Sequence, residues 1–141
     1  TVRLKRNAWS EASLIDGPIG PAMIQPYLRA IETEGERSLF WFGGQYSHAV
    51  RKVPADGDWL ANVSGARFVA EAPPAAAIEA AEAARARAPK DLLYVRIDLV
   101  LGDDGKWRVI EIEAIEPYLF FDFAPEGADV FVDAIARVLG V

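Results

Sequence analysis

Four charged residues stand at two-residue spacing in two apolar runs. Arg96 and Asp98 lie in Leu93-Tyr94-Val95-Arg96-Ile97-Asp98-Leu99-Val100-Leu101, and Glu111 and Glu113 in Trp107-Arg108-Val109-Ile110-Glu111-Ile112-Glu113. Residues two apart on a strand share a face, so each charged pair takes one side. Val95, Ile97 and Leu99, with Ile110 and Ile112, take the other. Gly102-Asp103-Asp104-Gly105 joins the runs, and an Asp-Gly turn between alternating apolar segments marks a hairpin. The register such a turn implies sets Asp98 opposite the two glutamates. Three carboxylates on one face repel each other, so a positive partner is required. A hard divalent cation takes oxygen ligands and enters nucleotide sites through one or two carboxylates and phosphate oxygens. Arg96 beside them suits an anionic phosphate or carboxylate. Any half-exposed antiparallel sheet shows the same alternation, with Arg96 simply paired to a glutamate. The pattern alone leaves both readings open.

The elements that must position these residues read as α+β. An apolar run at 22–28, containing Pro26, predicts a strand reaching its end. A polar loop follows at 32–36. Two aromatic, β-rich runs, 38–42 and 45–53, meet across Gly43-Gly44 and predict a first hairpin. Residues 54–74 read as loop, anchored by Trp59 and Phe68. An alanine-rich run at 75–88, between Pro74 and Pro89, predicts a helix. After the second hairpin, Val130, Phe131, Ala134, Ile135 and Val138 recur at helical spacing and predict a closing helix over 129–139. The first twenty residues give a strand end at 2–4 and turns around 16–21. No internal repeat is present. The expectation is one core, an antiparallel sheet with flanking helices.

Composition narrows the chemistry. The 141 residues are 52% hydrophobic and 26% charged, as in a globular domain with a real core. Acidic residues outnumber basic ones 21 to 15, for a formal charge of −6, so nucleic acid is not an expected partner. With no cysteine, a disulfide scaffold, a thiolate zinc site and a cysteine nucleophile are excluded. With His48 the single histidine, a multi-histidine metal site is excluded too. No apolar run is long enough for a membrane span, and the basic start lacks the apolar stretch of a secretory signal. A cytoplasmic location is the expectation, and the lack of an initiating Met points to a truncated chain.

Arg96-Ile97-Asp98-Leu99, a glycine-containing turn, Glu111-Ile112-Glu113 and Pro117 resemble the C-terminal metal-binding segment of ATP-grasp ligases. That segment reads Arg-x-Asp, a hairpin, Glu-x-Asn and a nearby proline. The fold is shared by D-alanine–D-alanine ligase, glutathione synthetase and the glutamate-adding ribosomal-protein ligases. Upstream, Ile24-Gln25-Pro26-Tyr27-Leu28 is similar to the family's hinge strand, whose main chain reads adenine. Gly35-Glu36-Arg37-Ser38-Leu39-Phe40 resembles the acidic start of the next strand. The phrasing most resembles a bacterial branch near glutathione synthetase and the cycloserine-pathway ligase.

The resemblance implies an ATP-dependent carboxylate–amine, or related C–N, ligase acting through an acylphosphate, with ATP and Mg2+ (or Mn2+) as cofactors. Its substrates would be a small-molecule carboxylate and an amine. Asp98, Glu111 and Glu113 would be metal ligands, Glu113 standing where the family has Asn. Arg96 would be catalytic, stabilising charge on the phosphorylated carboxylate. Gln25, Tyr27 and Leu28 would bind adenine, and Glu36 the ribose, with Glu34 as competitor. The family's lysine and glycine-rich phosphate loop precede the hinge. Residues 1–21 are thus expected to be a lead-in from a missing upstream part, and 22–141 the C-terminal nucleotide- and metal-binding domain, inactive alone.

The remaining notable residues read as structural. His48 is expected to be a hydrogen-bonded packing residue rather than a base. Arg51 and Lys52 read as a solvated strand edge. Phe40, Trp41 and Phe42 place rings on both faces and read as core. The aromatic run 118–123 would pack against absent parts of the enzyme or form a homodimer contact. Two other readings stay open at this stage. One is a non-catalytic α+β ligase remnant or protein-interaction domain using that aromatic run. The weaker is a metal-dependent hydrolase, for which no water-activating base stands out.

Overall fold

The computed structural model describes residues 3, 4, 7, 10, 11, 17, 19–61 and 65–141. Its centre is a five-stranded antiparallel sheet in the order β3-β2-β1-β4-β5. The strands are β1 (Glu36–Phe42), β2 (Gln45–Val53), β3 (Arg67–Ala70), β4 (Tyr94–Leu101) and β5 (Trp107–Glu113). Two helices, α1 (Ala75–Arg85) and α2 (Glu126–Leu139), flank it. The expected α+β class therefore holds.

Both hairpins form where their turns predict. Gly43 and Gly44 take φ of 54° and 82°, the left-handed pair that a two-residue hairpin turn requires. In the second hairpin Gly102 N–H donates to the Lys106 carbonyl at 2.7 Å, and Asp104 Oδ1 accepts from Lys106 N–H at 3.2 Å.

The consecutive rings of β1 divide the core. Leu39 and Trp41 join Ala49, Val95, Ile97 and Leu99 beneath Ala81 of α1. Phe40 and Phe42 join Val50, Phe120 and Ala134 beneath α2. A sheet covered on both faces needs such near-continuous apolar strands. β4 accordingly buries every residue from Val95 to Val100.

Helix α1 follows Pro74 and ends at Arg85, three residues before the predicted limit, with turns leading to Pro89. Helix α2 starts three residues earlier than predicted. It carries Glu126 and Asp129 in its first turn, Arg137 in its last, and Gly140 at φ 73° as a left-handed cap.

Several expectations need correction. Residues 22–28 form no strand; they are a largely exposed extended segment leading into a one-turn 3-10 helix, Arg29–Glu32. Their apolar side chains resemble a strand's, but no described strand pairs with them. Glu36 is not in a loop, since it opens β1 and is buried. β3 was not expected, because its four residues sit inside a stretch rich in turn signals. Ile110 shares no regular face with Ile112. A register shift between Asp98 and Leu99 pairs Leu99 with Val109 and leaves Ile110 without an opposite partner. Of the predicted strand end at 2–4, residue 2 lies outside the described residues, and 3 and 4 are irregular. Most of the turn region at 16–21 is described and is irregular, with 16 and 18 outside the described residues.

Candidate functional site

Sheet register builds the site on the α2 side, beyond the aromatic cluster. Ser38 on β1 pairs with Asp98 on β4, and Asp98 pairs in turn with Glu111 on β5. One step along, Phe40 pairs with Arg96, and Arg96 with Glu113. On the other flank Glu36 pairs with Lys52 of β2. Of the two glutamates expected opposite Asp98, Glu111 stands there, while Glu113 stands opposite Arg96 on the same face.

Asp98 is the hub. It is 1% exposed, and both of its oxygens are occupied. Oδ1 accepts from the Ser38 hydroxyl at 2.7 Å and from Arg96 Nε at 3.0 Å. Oδ2 accepts from Lys52 Nζ and from Arg96 Nη2, each at 3.0 Å. Burial by itself would raise the Asp98 pKa. The two cations and the hydrogen bonds from Arg96 and Ser38 overcome that and hold it below the usual carboxylate range.

Lys52 is as buried as Asp98 and bridges it to Glu36, with which it is ion-paired. Glu36 titrates in the opposite sense. Burial pushes its pKa up to about 7, opposed by Lys52 and reinforced by neighbouring Asp98.

Arg96 faces three acids at once. Its Nη2 contacts Asp98, lies 3.8 Å from Glu111 Oε2, and is ion-paired with Glu113. Burial disfavours the guanidinium charge, but Asp98, Glu113 and Glu111 outweigh it, and the pKa is raised. The Glu111 side chain is 56% exposed and that of Glu113 29%, so the solvent opening lies along β5.

The hinge candidates gather elsewhere. Tyr27 stands edge-on to Trp59 with centroids 6.2 Å apart, donates its hydroxyl to Glu32, and lies beneath the Arg3 guanidinium, 3.7 Å from the ring centroid. Burial and the Glu32 bond raise the Tyr27 pKa to about 12. Gln25 is exposed and Leu28 half-buried. Glu36 faces the Asp98 cluster from its floor. Its competitor Glu34 is more open, with Arg37 as its ion-pair partner at 3.7 Å. Arg37 pairs with Leu99 and so belongs to the α1 face.

Lys52 is the residue that sequence reasoning missed. β2 is not an edge there, because β3 pairs with it from Val50 to Val53. Lys52 shares the period-two phase of His48 and Val50, both buried, and that phase was the available signal. His48 is the packing residue expected. Its ring stacks on Phe40 at 4.4 Å, one nitrogen meets the Leu119 carbonyl at 2.9 Å, and the other meets Ser47 Oγ at 2.9 Å. Burial lowers its pKa. The aromatic run 118–123 is not a free patch. Phe120 is buried, and Leu119, Phe121 and Phe123 pack into the α2-side core, leaving Tyr118 as its exposed ring.

The sheet carries Arg-x-Asp and Glu-x-Glu on facing strands, and by its likeness to known proteins the chain belongs to the ATP-grasp ligase superfamily. A cycloserine biosynthesis protein of Streptomyces lavendulae, DcsG, is 37% identical over 125 residues, covering 83% of this chain and 42% of that protein. The crystal structure of D-cycloserine synthetase DcsG matches with a TM-score of 0.63 and 29% identity, over 82% of this chain and 41% of that one. The ATP-grasp ligase PsnB, solved with its minimal precursor, matches at 0.52 and 22% identity over 73% of this chain, a likeness of fold. The chain spans about two-fifths of the length of DcsG. No protein-family model matches it. Among the described residues no helix is long and apolar enough to cross a membrane.

Proposed function

We propose that this chain supplies the nucleotide- and magnesium-binding part of an ATP-dependent carboxylate–amine ligase that works through an acylphosphate. The observation that carries the reading is the convergence of Asp98, Glu111 and Glu113 on one sheet face around Arg96. Lys52 and Arg96 together do not balance Asp98, Glu111 and Glu113, and the excess negative charge lies at the solvent opening, where the Glu111 side chain is 56% exposed. All the donors are hard oxygens, the chemistry that a magnesium ion selects. A related fold, PsnB, has been solved with Mg and ADP, and D-cycloserine synthetase shares this fold at 29% identity.

Asp98, Glu111 and Glu113 would hold the cation, whose contribution when bound is to neutralise the phosphates of ATP. The rest of the work falls to the chain itself. Lys52 and Ser38 fix the Asp98 carboxylate from beneath. Arg96 supplies positive charge toward a phosphorylated carboxylate as it is attacked by an amine. Gln25, Tyr27 and Leu28 offer the adenine its edge contacts and an apolar wall, and Glu36 or Glu34 the ribose. The small carboxylate and amine are the substrates in this reading, and a cytoplasmic location suits the use of ATP. The interaction-domain alternative used the aromatic run 118–123, of which Leu119, Phe120, Phe121 and Phe123 pack into the core and Tyr118 stays exposed.

Isothermal titration of Mg·ATP into the chain tests the proposal, repeated with Asp98→Asn and Glu111→Gln. Magnesium-dependent binding that both substitutions abolish supports it. No saturable binding by this chain or by a version extended upstream, or binding indifferent to magnesium and to both substitutions, refutes it.

A further inference from the structure

The carboxylates needed for a metal are gathered, yet among the described residues no group of three acidic or histidine side chains is spaced to hold an ion. The Arg96 guanidinium stands among them, bonded to Asp98, paired with Glu113 and 3.8 Å from Glu111. We propose that Arg96 is a resident counter-ion that a divalent cation must displace, so that loading the metal and releasing Arg96 toward the anionic ligand are one event. The inference rests on the magnesium–nucleotide reading above.

Charge and support both favour the exchange. Four carboxyl groups, those of Asp98, Glu111, Glu113 and Glu36, face two cations, Arg96 and Lys52, and a divalent ion in place of Arg96 balances them better. Asp98 keeps its orientation when Arg96 leaves, because Ser38 still donates to Oδ1 and Lys52 to Oδ2. Lys52 itself stays anchored by Glu36. The exposed Glu111 gives an incoming cation a first oxygen beside the arginine before the buried ones are reached. A guanidinium is also well matched to a phosphate or an acylphosphate in its planar donors, so the displaced side chain has a destination.

The test is Mn2+ binding, read from the electron paramagnetic resonance of free Mn2+, with ADP present and absent, in wild type, Arg96→Ala and Arg96→Lys. A lysine ammonium reaches less far and cannot donate as a fork to Asp98 and Glu113 together, so it competes less. Displacement predicts Mn2+ affinity raised about tenfold or more by Arg96→Ala and by a smaller factor by Arg96→Lys, since a competing cation at contact distance is gone. In wild type, Mg2+ moves the Arg96 Nε–H resonance away from its hydrogen-bonded position. Should Arg96→Ala not fold, the lysine variant decides by the same rule. If wild type binds Mn2+ but the folded variants bind it equally or more weakly, displacement is overturned and the magnesium reading stands. If neither wild type nor variants bind Mn2+, with or without ADP, the magnesium reading falls as well.

Discussion

Asp98, Glu36, Lys52 and Arg96 set the energetics of the site, because each is an ionisable group that is almost fully buried. Removing one partner of a buried ion pair is far costlier than replacing the pair. Lys52→Met strands two adjacent carboxylates and is expected to cost about 3–5 kcal/mol at neutral pH in urea unfolding. Adding Glu36→Gln to it should recover a large part of that loss, because one of the two buried carboxyl groups left without their cation is gone. Equal stability of the single and double variants would contradict this account. Glu36 also predicts a pH dependence. Its folded pKa, about 7, lies above the unfolded value of about 4.3, so the folded state holds the proton more tightly. Its contribution is full below the unfolded pKa and is lost as pH rises toward 7. Tm should therefore fall between about pH 5 and 7, and Glu36→Gln should flatten that fall. Asp98 works in the other window. Its depressed pKa gives stability that is present above about pH 4 and lost on further acidification. At this scale Arg96, Asp98, Glu111 and Glu113 were legible because their spacing of two matched the strand period. Lys52 was not, since a lysine beside an arginine reads as solvent-facing unless the neighbouring strand is known.

The strands place these residues by register, and register is where small backbone errors do the most damage. Gly35 stands just before β1 at φ 71°, and a Cβ there would come 2.3 Å from the Lys52 carbonyl oxygen. Backbone cannot yield as a flexible side chain does. Gly35→Ala should therefore destabilise the chain by at least about 1–3 kcal/mol, and weaken Mg·ATP binding in the fraction that folds, because β1 carries Glu36 and Ser38 away from Asp98. Full stability in urea unfolding would contradict that placement. The two hairpins and both helices were legible, since Gly-Gly and Asp-Gly turns, alanine content and a helical apolar stripe are local signals. β3 and the state of 22–28 were not. A four-residue strand becomes a strand only through its pairing with β2, and an apolar run stays unpaired without a neighbour. The shift at Ile110 follows likewise from how β4 and β5 fit together, a non-local matter.

At the scale of the molecule, the sheet divides the labour. Its α1 face is apolar core around Leu39, Trp41 and Ile97, while the α2 face passes from aromatic packing at Phe40 and Phe42 to the charged cluster at Asp98. The cluster can be costly because apolar burial on both faces carries the stability. An overall charge of −6 sits uneasily with a polyphosphate ligand, so the proposed affinity for ATP would depend on a cation at the acidic opening. The central claim is thus one of location, that a divalent ion with its nucleotide binds on the face shared by β4 and β5. Backbone amide NMR of the chain with Mn2+·ADP measures it most directly, since the paramagnetic ion erases the signals nearest to it. The account predicts loss of the amides around Asp98, Glu111 and Glu113 at low Mn2+ occupancy, with those of α1 unaffected. Broadening centred anywhere else, or none at saturating Mn2+·ADP, would contradict it.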